Sequence, residues 1–195
     1  MKESDYRGKV FNETTIDLKG NNDVLSLTRP DIIEDIHKKY FEAGADIVET
    51  NTFNANSISQ SDYKLEDYVY KLNFESARIA KKASNSFNDK PRFVAGSVGP
   101  TNRTASISPK VNDPSYRNTS FDQLNDAYQE QIEALVDGGV DIILIETVFD
   151  TLNCKAALFA VDSVLKNKKR NIPIFVSGTI TDAVSYTHLT LPTKA

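Results

Sequence analysis

Gly139-Val140-Asp141-Ile142-Ile143-Leu144-Ile145-Glu146-Thr147 is the most strand-like stretch of this 195-residue chain. Four apolar residues run unbroken from Ile142 to Ile145, without the polar alternation of a half-solvated strand. Such a run is buried on both faces, as in a parallel sheet covered by helices. It follows a glycine pair and ends on a carboxylate.

Working upstream, Phe121, Leu124, Tyr128, Ile132 and Leu135 fall on one helical stripe, and Gly138 and Gly139 stop it. Ser120 followed by Gln123 has the form of a capping box. Phe93 to Val98 reads as a short strand, ended by Gly99 and Pro100, which open a polar loop to about Thr119. Glu66 to about Phe87 reads as a long amphipathic helix with Val69, Leu72, Ala80 and Ala83 on one side. Ile47 to Thr52 reads as a strand. The helix before it starts at Pro30, where a missing N–H costs nothing. It carries Ile32, Ile33, Ile36, Tyr40 and Phe41 and stops at Gly44. Residues 1 to 29 read as mostly irregular, with a turn cluster at Gly20, Asn21, Asn22 and Asp23. Downstream, Thr151 is placed to cap a helix running to about Lys166, and Ile174 to Ser177 reads as a fourth strand.

Four strands alternating with helices are the pattern of βαβ units in a parallel sheet. Gly44-Ala45-Asp46-Ile47 also resembles Gly139-Val140-Asp141-Ile142, each after a helix. Aligned without a gap, Asn51 falls opposite Glu146. A barrel of repeated βα units would give this, and the pattern sets a barrel ahead of a doubly wound sheet, which remains compatible.

The formal net charge of -4 offers no attraction to nucleic acid or to an anionic membrane. One cysteine, Cys154, can form neither an intrachain disulfide nor a multi-cysteine metal site. No apolar run approaches the roughly 20 residues that cross a bilayer, and Met1 to Arg7 lack the apolar stretch of a secretory signal. A cytoplasmic location is the expectation.

The strand ends are polar: Glu49-Thr50-Asn51-Thr52, Ser97 before Gly99, Glu146-Thr147, and Ser177-Gly178-Thr179. Parallel α/β proteins bind ligands at this end of the sheet. A strand that is apolar for four residues and then ends in Glu146 sets a carboxylate at the mouth, fit to grip an ammonium; pairing with a neighbouring Lys or Arg is the bland alternative. Glu49, Asn51 and Ser97 are further candidates. Cys154 lies in the first turn of a helix, where a dipole could activate it, but no histidine is near in sequence, and a small buried residue is expected. His37 is expected at the surface or boundary. There is no phosphate loop, His-x-x-x-His pair or cysteine pair.

Four segments carry a resemblance. They are Asp17 to Asp23 (DLKGNND), Tyr40 to Asn54 (YFEAGADIVETNTFN), Gly99 to Pro109 (GPTNRTASISP) with Val111-Asn112-Asp113-Pro114, and Ile145 to Asn153 (IETVFDTLN). Together they resemble the homocysteine-binding module of cobalamin-dependent methionine synthases over about residues 1 to 183. The Gly99 to Pro114 stretch separates that family from betaine-type homocysteine methyltransferases of the same fold.

The resemblance implies a (β/α)8 TIM barrel, of which this chain holds about strands two to five of eight. It implies that zinc activates the homocysteine thiol, and that the thiolate takes a methyl group from methylcobalamin on another module. Methyltetrahydrofolate then recharges the cobalamin on a further module of the same polypeptide. It maps Glu146 onto the glutamate that binds the homocysteine amino group, and Thr50 to Phe53 and Ser97 onto the pocket walls. It further implies that an Asp-Gly pair of the first strand lies upstream of Met1, an internal or miscalled start. Three zinc-ligating cysteines lie beyond residue 183, and Cys154 matches none of them. Val184 to Leu189 (VSYTHL) reads as a translated sequencing adapter, so residues 184 to 195 are expected to be a non-native tail. The chain alone is therefore expected to be inactive, and to aggregate or stay partly unfolded. The alternative is a stand-alone homocysteine methyltransferase using betaine or S-methylmethionine.

Overall fold

The computed structural model describes residues 1–180. The main body alternates helix and strand. Helix α1 spans Glu3–Arg7, α2 Leu25–Thr28 and α3 Pro30–Glu42, followed by strand β1, Ile47–Glu49. Helices α4 (Ser57–Gln60) and α5 (Val69–Ser84) lead to β2, Phe93–Val98. Then come α6 (Phe121–Asp137), β3 (Ile142–Val148), α7 (Thr151–Lys168) and β4 (Ile174–Gly178). The four strands form one parallel sheet in the order β1-β2-β3-β4. This is the architecture of part of a (β/α)8 barrel, with each strand beside the one before it and helices on one face.

The repeated Gly-x-Asp-Ile segments prove to be a repeated helix stop. Gly44 and Gly139 have φ of 101° and 92°, a conformation that costs glycine little. The next amides turn back on the helix: Ala45 N–H donates to the Tyr40 carbonyl at 3.0 Å, and Val140 N–H to that of Leu135 at 3.3 Å. Each closes the six-residue loop of a Schellman cap. The chain then enters a strand directly, so the same motif sets the height of β1 and of β3. Asp141 fixes the second junction by accepting from Val94 N–H at 2.8 Å and pairing with Lys81 at 2.9 Å.

Pleating sends alternate side chains to opposite faces. Val48, Val94, Val98, Ile143 and Ile145 face the helices and are buried with Leu124, Ile132 and Leu135 of α6 and Ala156, Ala160 and Val161 of α7. Ile47, Glu49, Phe93, Ser97, Leu144 and Glu146 belong to the other face, which in a closed barrel is the interior.

Four expectations need correcting. The N-terminal segment, expected to be mostly irregular, carries α1, α2 and a 3-10 turn, and Tyr6, Phe11, Leu18, Val24 and Leu25 form a second core with Ile33, Leu72 and Ile79. Strand β1 ends at Glu49 because Thr52 N–H donates to the Thr50 carbonyl at 3.0 Å, turning the chain at Asn51. Asp150, not Thr151, caps α7, accepting from Leu152 and Asn153 N–H at 2.9 and 3.1 Å. His37 is buried, because the inward line of α3 is Ile33–His37–Phe41, while Ile36 and Tyr40 are exposed. The capping box of Ser120 and Gln123 is present as expected. The reading of residues 184 to 195 as a tail lies outside the described residues.

Candidate functional site

The carboxyl ends of the parallel strands lie together, and two candidate residues meet there. Ser97 Oγ donates to Glu146 Oε1 at 2.5 Å. The pair joins β2 to β3 on the face opposite the helices, and Glu146 is half-buried. The ladder register places Ser97 beside Leu144, so the hydroxyl reaches up one pleat to the carboxylate.

The backbone at Glu146 is irregular for a reason visible in the register. Ile145 pairs with Val176 and Val148 with Gly178, so Glu146 and Thr147 together oppose one residue of β4. This is a β-bulge, which re-aims side chains at a strand end. Thr147 absorbs the extra length at φ 57°. That conformation is costly for a β-branched residue, and such strain concentrates at functional sites.

Glu49 belongs to the same face of the sheet. Burial, and then the negative charge of Glu146, hold its carboxyl above the usual range. Two acidic groups therefore sense one another across the open face. Glu49 also lines a groove of about 440 Å³ between α3 and β1, with Ile36, His37, Tyr40 and Ile47 among its walls.

Thr50 and Asn51 are used differently. Thr50 is buried; its hydroxyl lies 2.7 Å from that of Thr52 and accepts from Ser97 N–H at 2.9 Å. Thr52 Oγ1 donates to the Ser97 carbonyl at 2.7 Å, and Gln131 of α6 donates to the Thr52 carbonyl at 2.8 Å. Thr50 and Thr52 thus hold Ser97 in place. The Asn51 amide donates to the Asn22 carbonyl at 2.7 Å and to Ser26 Oγ at 3.2 Å. The gapless repeat had put Asn51 level with Glu146; the early end of β1 sends it to the N-terminal segment instead.

The loop after β2 is anchored by residues that the strand-end reading missed. Ser106 N–H and Oγ both donate to Asp150 at 2.8 Å. Asn153 accepts from Ala105 N–H at 3.0 Å and donates to the Arg103 carbonyl at 2.8 Å. The Gly99 to Pro114 and Ile145 to Asn153 segments are thus one interlocked unit. Asp150, ahead of an apolar helix, was a readable cap; Gln131 carried no such signal. Cys154 is half-buried, and burial pushes its thiol up, which suits packing rather than nucleophilic use.

Among the described residues no three His, Cys, Asp or Glu side chains converge where a metal ion could sit. The donor set of the described residues does not fit zinc. Among the same residues no helix is long and apolar enough to cross a membrane.

The model of the Homocysteine S-methyltransferase family matches residues 3–193. The chain belongs to that family. Solved structures of the homocysteine methyltransferase MmuM from Escherichia coli share its fold. The metallated form aligns with a TM-score of 0.64 at 24% identity, over 81% of this chain and 55% of that one. The oxidised form gives 0.63 at 23%, over 81% and 54%, and the apo form 0.58 at 22%, over 84% and 55%. The chain thus spans about half the length of these homocysteine methyltransferases.

Proposed function

We propose that this chain is the part of a homocysteine methyltransferase that grips the amino group of homocysteine. The observation that carries the reading is the Ser97–Glu146 hydrogen bond at the strand ends, on the face opposite the helices. A carboxylate fixed by a neighbouring hydroxyl meets an ammonium without first having to be ordered, which lowers the entropic cost of binding. The charge-assisted contact then sets the amino acid's orientation. Glu49 adds negative potential on the same face. Thr50 and Thr52 act behind Ser97, and Asn51 fixes the loop wall.

Within that class, we assign the parent protein to the cobalamin-dependent methionine synthases. In that reading methylcobalamin is the methyl donor, methyltetrahydrofolate recharges it, and both are held by other modules of the polypeptide. Zinc ligands are then supplied by residues other than those described. The Gly99 to Pro114 stretch supports this choice, and its anchoring on Asp150 and Asn153 gives it a fixed shape beside the mouth. A stand-alone enzyme using betaine or S-methylmethionine is the second reading, and the fold shared with MmuM is compatible with both.

The test uses the protein expressed from the intact gene. Glu146→Gln weakens homocysteine binding about tenfold or more in calorimetric titration, the loss of one charge-assisted contact. Unchanged affinity removes the role given to Glu146. Methyl transfer from methyltetrahydrofolate with cobalamin, against transfer from S-methylmethionine or betaine, separates the two readings.

A further inference from the structure

A buried acid that this site does not use lies behind the loop following β1. Asp23, in the 3-10 turn Asn22–Val24, is 4% exposed. Asn54 N–H donates to its Oδ1 at 3.3 Å, and Gln60 Nε2 lies 3.5 Å from its Oδ2. Around it runs a belt of amides. Asn21 donates to Gln60 at 2.8 Å and Gln60 returns the bond at 3.3 Å. Gln60 also donates to the Asn54 carbonyl at 3.1 Å, and Asn51 donates to the Asn22 carbonyl at 2.7 Å. All of these contacts but Gln60 to the Asn54 carbonyl tie residues 21–26 to residues 51–60, the segment that leaves the mouth.

The belt is neutral. Asn21, Gln60, Asn51, Asn54 and Ser26 carry no charge, and Tyr6 of α1 enters it through its hydroxyl, 3.1 Å from Asn22 Oδ1. No charged group contributes to the shift of Asp23, which burial pushes up to about 6 against the pull of the Asn54 and its own backbone N–H groups. The groups directed at its oxygens, the Asn54 N–H, its own N–H and the Gln60 amide nitrogen, are all donors. That geometry suits an acceptor-only carboxylate, and a protonated one would turn an O–H toward donors.

We propose that Asp23 is a positioning residue: it holds the 51–56 loop at the mouth, and relaxes that hold on taking up a proton. The effect on homocysteine rests on the function proposed above; the hold on the loop does not.

The test is hydrogen exchange of the 51–56 segment in the protein expressed from the intact gene, corrected for intrinsic rates, at pH 5.0 and 7.5. In the wild type, protection of the Asn54 amide is about tenfold lower at pH 5.0. In Asp23→Asn it is low and the same at both pH values. Equal wild-type protection at the two pH values, or a variant as protected as wild type at pH 7.5, overturns the proposal. If the variant does not fold, the wild-type series decides alone. Homocysteine affinity follows in parallel, and the ratio of wild type to Asp23→Asn falls between pH 7.5 and 5.0. A loop that responds while that ratio stays constant overturns the assignment of this loop to a homocysteine site.

Discussion

Ser97 Oγ donates to Glu146 Oε1 at 2.5 Å, although the ladder pairs Ser97 with Leu144. The hydroxyl therefore reaches past its own partner to the carboxylate above. Ser97→Ala leaves Glu146 without this donor. Homocysteine affinity is expected to fall about tenfold, the scale of one hydrogen bond to a charged group, with little change in thermal midpoint. Calorimetric titration checks it, and an unchanged dissociation constant would show that the hydroxyl contributes nothing to orientation.

Thr147 sits at φ 57° to complete the bulge. Thr147→Gly removes the clash that a β-branched side chain meets there. It is expected to gain about 1 kcal/mol of stability while weakening homocysteine binding, because Glu146 is then less firmly aimed. Denaturant unfolding and titration are read together. A variant that is less stable than wild type would show that the left-handed turn carries no strain.

Asp150 ties three things at once: the start of α7, Ser106 N–H and Ser106 Oγ. Burial raises its carboxyl, but the bonds from Ser106, Asn153 and Leu152 outweigh it and hold the group below the ordinary range. The stability it adds is complete above the usual Asp titration and is lost as pH falls through the lowered value. Asp150→Ala is expected to cost about 2 kcal/mol near neutral pH, a lost cap plus lost loop bonds, and less in acid. Urea titrations at pH 7 and near pH 2.5, below the usual Asp titration, test this; an equal cost at both would exclude the carboxylate's charge as the cause.

His37 is buried, and burial alone lowers it to about 4 from 6.5. The unfolded chain therefore takes up this proton first. Stability is intact above about pH 6.5 and drains away as pH falls toward 4, by at most about 3 kcal/mol. His37→Leu should match wild type at pH 7.5 and exceed it at pH 5. Thermal midpoints across that range check the sign, and parallel curves for the two proteins would refute it.

The order of strands and helices was legible because it rests on local signals. An unbroken apolar run, glycine stops and a Ser-x-x-Gln cap each act within one turn of chain. The carboxylate at the end of β3 was legible for the same reason. What failed was longer in range. His37 is inward because α3 packs with its 33–37–41 line, which no stripe of apolar residues announced. Thr50 and Asn51 sit where a strand end was expected, but their partners are 47 and 29 residues away. Polar side chains choose partners by tertiary proximity, and periodicity holds no record of that choice.

The hydroxyls of Thr50 and Thr52, the Ser97 backbone and the Gln131 amide of α6 close into one lattice beneath the mouth. Such a lattice is inherited whole or not at all. A lineage that replaces Gln131 leaves the Thr52 carbonyl short of a donor, and one that replaces Thr50 leaves the Ser97 amide bare. Positions 50, 52 and 131 should therefore drift together among relatives, while the exposed flank of α6 varies freely around them.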